Sequence, residues 1–483
     1  MNGDAAVSPS VPAPETTGSG SLPPVEHEVL ARIAPDPALL ARLAEVREHL
    51  VRRASTEANH RGIPLRRALV AGSAARGTFL HERFDIDLFL LFPPDLPRDR
   101  LESEGLRLAE AILEAPEKHY AEHPYLRGRF EGFTVEAVPG YAIVDPSHPL
   151  TAVDRTPFHQ EYLAAHLTPG QVDQVRLTKQ FLRSLGVYGS EAKTAGFSGY
   201  LVELLIVRFG SFRSLLDAAR GWRLPVRLAT PGSCPSVPDD VAMILDDPVD
   251  PHRNVATALS AESLARFLLA AREFQRAPSI SAFFPEPAVP ISLAEAKVRV
   301  AARGTHVAVV RLPRPSLVDD VLYPQLRKAE RSLGTEASRL GFEVLGTSSA
   351  AGVSDLWVGI ETSSGVLPKV KVQDGPPPGL AHSDAFLAKW NVPNPSVLQG
   401  PYIRPDGKLA VDVDRGETRL ERLLAAAAPE LALGRDLREA SKTGVWARPL
   451  EAVEGSPELS ELLDRLLNKR LPWGSVRAPP PPR

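Results

Sequence analysis

Two acids one residue apart, Asp85 and Asp87, interrupt an otherwise apolar run, FDIDLFLLF. In an extended strand over 84–92 side chains alternate faces, so both carboxylates point one way while Ile86, Leu88 and Leu90 point into a core. Two such acids repel each other unless a cation lies between them, and hard divalent ions take oxygen ligands. Glu136, flanked by Val135 and Ala137 in a strand-like stretch over 128–141, offers a third carboxylate on a neighbouring strand. Upstream, an apolar strand over 68–71 runs into the turn Gly72-Ser73, which opens a short helix carrying Arg76. Backbone N–H groups at such a start suit a triphosphate. Taken singly these features are ordinary: Asp-x-Asp is usually a solvated edge, and Gly-Ser an everyday turn. Together they suit phosphoryl transfer from a nucleoside triphosphate, with two divalent ions clamping the attacking and leaving oxygens.

The elements that must position these groups follow from spacing. Asp36-Pro37 reads as a helix cap with proline at the first helical position. Leu39, Leu43, Val46 and Leu50 then give one apolar face. A helix over 97–115 stops at Pro116, and a strand over 128–141 carries Glu136. In a helix over 171–185, Arg176, Lys179 and Arg183 recur at three and four residues, a basic stripe that by itself reads as a solvated face. The stretch 196–212 is apolar on most sides and reads as a buried spine. Arg253 and Asn254 precede a helix over 261–274. Beyond a proline-rich linker, a strand over 305–312, a helix over 318–340 and strands over 342–345 and 356–360 suggest a compact α+β domain. Sheets of that kind often present a face to RNA.

Composition sets the class. The chain has 483 residues, room for two to four domains, with 43% hydrophobic and 24% charged residues, as in an ordinary globular protein. A net charge of −3 excludes a uniformly basic nucleic-acid coat, so any RNA contact must come from local basic faces. Cys234 is the single cysteine, which excludes an internal disulfide and a cysteine-built zinc site. No run is long and apolar enough for a bilayer, and the N-terminus lacks a signal-peptide pattern. The expectation is a cytoplasmic enzyme with no membrane partner.

With those residues in view, the chain resembles the archaeal-type (class I) CCA-adding tRNA nucleotidyltransferases over roughly residues 28–445. The matching strings are GSAARGTFL, DIDLFLLFP, HPYLRG, VEAVPGY, AVDRTPFH, QVRLTKQFL, GVYGSE, GFSGYLVELL, DPHRNVA, VLYPQL, DGPPP and GPYI, in the family's order. The resemblance implies an α+β fold: a polymerase-β-like nucleotidyltransferase palm, a helical central domain, and a C-terminal α+β (RRM-like) body and tail. The implied boundaries are a disordered segment over 1–27, the palm over 28–150 and the central domain over 151–280. A linker over 281–291, the body and tail over 292–450, and a C-terminal helix with a proline-rich tail over 451–483 complete them.

The resemblance also implies that Asp85, Asp87 and Glu136 bind two magnesium ions. Gly72, Ser73 and Arg76 would hold the triphosphate. Thr156 and His159 would lie near the incoming nucleotide, Lys179 and Tyr188 would contact its phosphates, and Arg253 would help recognise the base of CTP or ATP. The implied activity is template-independent addition of the 3′-terminal CCA of tRNA from CTP and ATP, with pyrophosphate released; a homodimer is left open. Three positions depart from the family's pattern: Glu136 stands for its usual Asp, Gly140 for its usual Cys, and Gln373 for a frequent His. A poly(A)-type polymerase shares the palm and would add runs of A, whereas a decayed tRNA-binding homologue would add nothing.

Overall fold

The computed structural model describes residues 23–82, 84–120, 124–229, 241–287, 289–442 and 444–470. They fall into two units that divide between Glu286 and Pro287. In the first, helices α1 (Pro24–Ile33) and α2 (Pro37–His60) each have proline in the first turn. The Asp36 carboxylate caps α2 by accepting from the Leu39 N–H at 2.7 Å. The segment expected to be disordered through residue 27 is therefore helical from Pro24. It orders because Val29, Leu30 and Ile33 bury one face in a helical core. Residues 1–22 lie outside the described residues, as do 471–483.

The palm comprises β1 (Arg67–Ala71), α3 (Gly72–Arg76), β2 (Ile86–Phe92), α4 (Arg98–Ile112), β3 (Glu114–Tyr120), β4 (Pro124–Phe130) and β5 (Phe133–Tyr141). The sheet order is β1-β2-β5-β4-β3, with β2 parallel to β5 and every other pair antiparallel. Two local expectations change. The single strand over 128–141 is a hairpin, because Glu131 and Gly132 adopt φ values of 48° and 86° and reverse the chain. The helix expected to reach 115 ends at Ile112, because the next residues join the sheet as its edge strand, where Pro116 is tolerated. Ile86, Leu88 and Leu90 are fully buried against Leu43, Val46 and Leu50 of α2 and Leu101, Leu108 and Ile112 of α4. Each such burial stabilises by about 1.5–3 kcal/mol. Leu69, Phe89 and Leu91 form a smaller cluster on the opposite face, which is also the face of Asp87.

Helices α5 (Thr156–His166), α6 (Pro169–Ser184), α7 (Gly199–Phe209), α8 (Phe212–Ala219) and α9 (Ala261–Arg276) complete this unit. Two short strand pairs join them: β6 (Val226–Arg227) with β7 (Met243–Ile244), and β8 (Asp246–Asp247) with β9 (Asp250–Asn254). Phe181, Phe212, Phe274 and Phe283 pack with ring centroids 5.4–5.6 Å apart. Phe283 is fully buried in that cluster, so the stretch expected as a linker over 281–291 begins inside a core.

The second unit opens with α10 (Leu293–Arg303), β10 (His306–Pro313), α11 (Asp319–Leu340), β11 (Val344–Ala351), β12 (Asp355–Thr362) and β13 (Val370–Asp374). It continues through α12 (His382–Trp390), β14 (Val397–Ile403), β15 (Leu409–Asp414), α13 (Leu420–Ala427), α14 (Arg435–Ser441), β16 (Trp446–Pro449) and α15 (Pro457–Leu467). Its larger sheet, β11-β12-β10-β16, has α11 on one face and α10 with α15 on the other, rather than one open face. A second sheet, β13-β15-β14, leaves Val370, Val372 and Leu398 exposed. No helix among the described residues is long and apolar enough to cross a membrane.

One contact in the palm yields a test. A Cβ placed on Gly105 of α4 would meet the Pro139 Cβ of β5 at 2.5 Å. Helix propensity favours alanine by about 1 kcal/mol, whereas overpacking a tight core costs about 1–3 kcal/mol. Gly105→Ala should therefore lower the urea midpoint. A higher midpoint would mean that α4 is not held against the strand carrying Glu136.

Candidate active site

Strand register sets the centre of the site. Ala71 of β1, Asp87 of β2, Glu136 of β5 and Arg127 of β4 lie side by side across the sheet. Asp85 precedes β2 by one residue. At Gly72 the backbone has φ of +71°, and a Cβ there would lie 2.0 Å from the Asp87 Oδ2. The acid thus rests directly on the Gly72-Ser73 turn, and only glycine leaves room for it. Arg127 Nη2 donates to both oxygens of Asp85 at 3.2 Å, and its Nε lies 3.8 Å from Glu136.

Charge crowding is evident in the titration. Burial, then Glu136 and Asp85, push the Asp87 carboxyl from the ordinary value of 3.8 up to about 7, although Arg76 and Lys179 pull against them. Burial and Asp85 likewise raise Glu136. This donor set, three carboxylates sharing one face and short of positive charge, fits hard divalent cations in kind. It is not closed around a point: among the described residues no three His, Cys, Asp or Glu side chains form a ready metal cluster. Asp85 and Glu136 are turned to Arg127 instead.

A second group lies beside the first. Glu203, 1% exposed on α7, accepts from Arg76 Nη2 at 2.7 Å and Nε at 3.1 Å. It also accepts from Lys179 at 3.3 Å and from the Thr78 hydroxyl. Burial alone would raise this carboxyl; Lys179 and Arg76 hold it below the usual range. Lys179 is itself 2% exposed and Arg176 6% exposed, so the stripe expected on a solvated face is turned inward. Arg176 donates to the Gly77 carbonyl and Lys179 to the Thr78 carbonyl, which fixes α6 to the segment following α3. The Tyr188 hydroxyl and the Lys179 ammonium both lie against Gly199, at the start of α7.

Helix α5 joins this group to a third. Gln160 accepts from Arg76, while the adjacent His159 pairs with Asp247 at 2.8 Å. Asp247, fully buried, also accepts from the Tyr200 hydroxyl at 3.0 Å and from Arg253 at 2.7 Å. His159 and Tyr200 stack with centroids 4.0 Å apart. Burial would raise Asp247, but the His159 hydrogen bond and charge, followed by Val249 N–H and Arg253, lower it. Thr156 opens α5, one turn before His159.

Sequence reasoning passed over Arg127, Gln160, Tyr200, Glu203 and Asp247. Two left signals. Glu203 is the lone acid in the apolar run LVELLIV, where an unpartnered charge would be prohibitive. Arg127 is the cross-strand partner of Glu136 once the hairpin turn at 131–132 is placed.

Three family models match: "Nucleotidyltransferase domain" over 51–159, "tRNA nucleotidyltransferase, second domain" over 173–284, and "CCA-adding enzyme, C-terminal domain" over 303–446. The CCA-adding enzyme of Haloarcula marismortui is 37% identical over 439 residues, spanning 87% of this chain and 92% of that protein. That of Halobacterium salinarum is 38% identical over 81% of this chain and 86% of its own. The Methanosarcina barkeri protein of the same name is 35% identical over 89% and 94%.

Two measurements test the electrostatics. In the fold Asp87 keeps its proton up to about pH 7, whereas an unfolded aspartate releases it near 3.8, so the folded state holds more protons and loses stability as pH rises between these values. In EDTA, Asp87→Asn should melt above the wild type at pH 8, by on the order of 1–3 kcal/mol once residual solvent screening is allowed for. The gain should be smaller at pH 5; an equal gain at both, or a loss, would contradict the crowding. Glu203→Gln should lower stability by about 3–5 kcal/mol, because Arg76 and Lys179 would remain buried without their anion. A urea-derived loss under about 1 kcal/mol would refute that pairing.

Proposed function

Since the chain belongs to the archaeal-type CCA-adding enzymes, we propose that it builds or repairs the 3′-terminal CCA of tRNA, taking C, C and A in order from CTP and ATP. The protein and the RNA end together select the nucleotide, without a nucleic-acid template. What carries this reading is similarity to named CCA-adding enzymes along 87% of the chain, far more than a shared palm would provide.

Asp85, Asp87 and Glu136 would hold two magnesium ions. When bound, these supply the charge that acidifies the attacking 3′-hydroxyl and stabilises the departing pyrophosphate. The chain's own part is placement. N–H groups of the Gly72-Ser73 turn, with the Arg76 guanidinium, take the triphosphate. Lys179 and the Tyr188 hydroxyl approach the phosphates from the helical side. Glu203 holds Arg76 and Lys179 in position before the nucleotide arrives, so little reorganisation is left for the reaction. Thr156, His159 and Arg253 line the nucleotide's other side. There Asp247 fixes the directions in which His159 and Arg253 present their donors, which favours one base edge over another. The Glu136 side chain is one methylene longer than the family's usual Asp. A misplacement of about 1 Å can cost roughly a hundredfold in rate, so the aligned strand must let it fold back.

The direct test is incorporation of labelled CTP and ATP into a tRNA transcript lacking its CCA end, with magnesium, followed by sequencing of the product ends. Addition of C, C and A, then arrest, is expected, and Asp87→Ala should reduce incorporation to background. Runs of A would point to a general terminal polymerase. Unaltered incorporation by Asp87→Ala would remove the metal assignment.

A further inference from the structure

Arg127 lies where the site's charges meet, and the proposed chemistry gives it no part. Its strand neighbour in register is Glu136, and its guanidinium donates to both oxygens of Asp85 at 3.2 Å. Its Nε lies 3.8 Å from Glu136. It makes no ion pair with Asp87, on which the positive charges of Arg76 and Lys179 act instead. Asp85 and Glu136 therefore share Arg127, while Asp87 is acted on by a different pair of cations. Lys179 is buried, Arg76 is mostly covered, and both are locked to Glu203. Arg127 is 43% exposed, and Asp85 and Glu136 are 35% and 25% exposed, so this pairing is hydrated and readily broken. The titratable groups facing Glu136 are thus Asp85, Arg127 and His119.

We propose that Arg127 is a built-in counter-cation of the metal site: it holds Asp85 and Glu136 while the site is empty, and a divalent ion must displace it to bind. The inference rests on the metal-binding reading of these acids given above. The physical basis is competition for the same lone pairs. A planar guanidinium spreads one positive charge over a fork of N–H donors, while a divalent ion concentrates two charges at a point. While Arg127 occupies the acids, they do not drive each other apart and β2 and β5 keep their register. The cost is a weaker apparent metal affinity, because part of each binding event goes into breaking the Arg127 pairs.

The test uses the full chain without nucleotide or RNA and reads free Mn²⁺ by electron paramagnetic resonance. Arg127→Met should bind Mn²⁺ at least fivefold more tightly than the wild type, with Arg127→Lys between them. Arg129→Met removes the same charge two residues along the strand and should stay within twofold of the wild type. In EDTA, Arg127→Met should melt below the wild type, and Mn²⁺ should raise its Tm by more. A merely structural arginine would lower the EDTA Tm and leave Mn²⁺ affinity unchanged, which overturns the proposal. An equal gain in Arg129→Met would also overturn it, since net charge alone would then account for the effect. Absence of Mn²⁺ binding in every protein would remove the metal site and this inference together. The expected affinities with no CTP incorporation would instead count against the proposed function alone.

Discussion

A single buried carboxylate, Glu203, joins the two halves of the site. An isolated charge on an apolar helix would cost several kcal/mol, so α7 can pack only where cations come to meet it. Arg76 arrives from the palm and Lys179 from α6, with the Thr78 hydroxyl between them. The same ion group that permits the core to close therefore positions two cations next to the acid-bearing strand. Closure of the core and the placement of these two cations draw on one set of contacts.

The acids on the sheet are in the opposite condition. Asp85, Asp87 and Glu136 are crowded, and Asp87 and Glu136 are held above their usual range because burial and mutual repulsion disfavour their charges. Hydrophobic packing beneath them, through Ile86, Leu88 and Leu90, supports that strain. A site built this way favours cations by construction, whether the cation is a side chain or an ion. The negative charge of the sheet's acids and the positive charge of Arg76 and Lys179 are thus kept in separate groups.

The Asp247 group shows a third use of burial. His159, Tyr200 and Arg253 converge on one carboxylate with no solvent exposure, and the stacked His159 and Tyr200 rings restrict one another. Donors fixed in this way have little rotamer freedom left to lose in any contact they make. Gln160, beside His159 on α5, ties the group to Arg76, so one helix joins the Glu203 and Asp247 groups.

By itself the sequence determined the α+β architecture, the palm strands around Asp85 and Asp87, the turn at Gly72-Ser73 and the family. Each of these is written in short-range pattern: alternation along a strand, helical spacing, a glycine before a helix, and ordered strings. Tertiary structure alone decided which face the basic residues of α6 adopt, because Arg176 and Lys179 are drawn inward by a carbonyl and an acid from other elements. It also decided that Arg76 and Thr78 meet Glu203, and that His159 and Tyr200 meet Asp247, across long separations in the chain. The single strand expected over 128–141 resolved into a hairpin, and only that register brought Arg127 beside Glu136. Periodicity records which side of an element is apolar. Which charges meet depends on how elements dock, and docking is set by packing summed over the whole core.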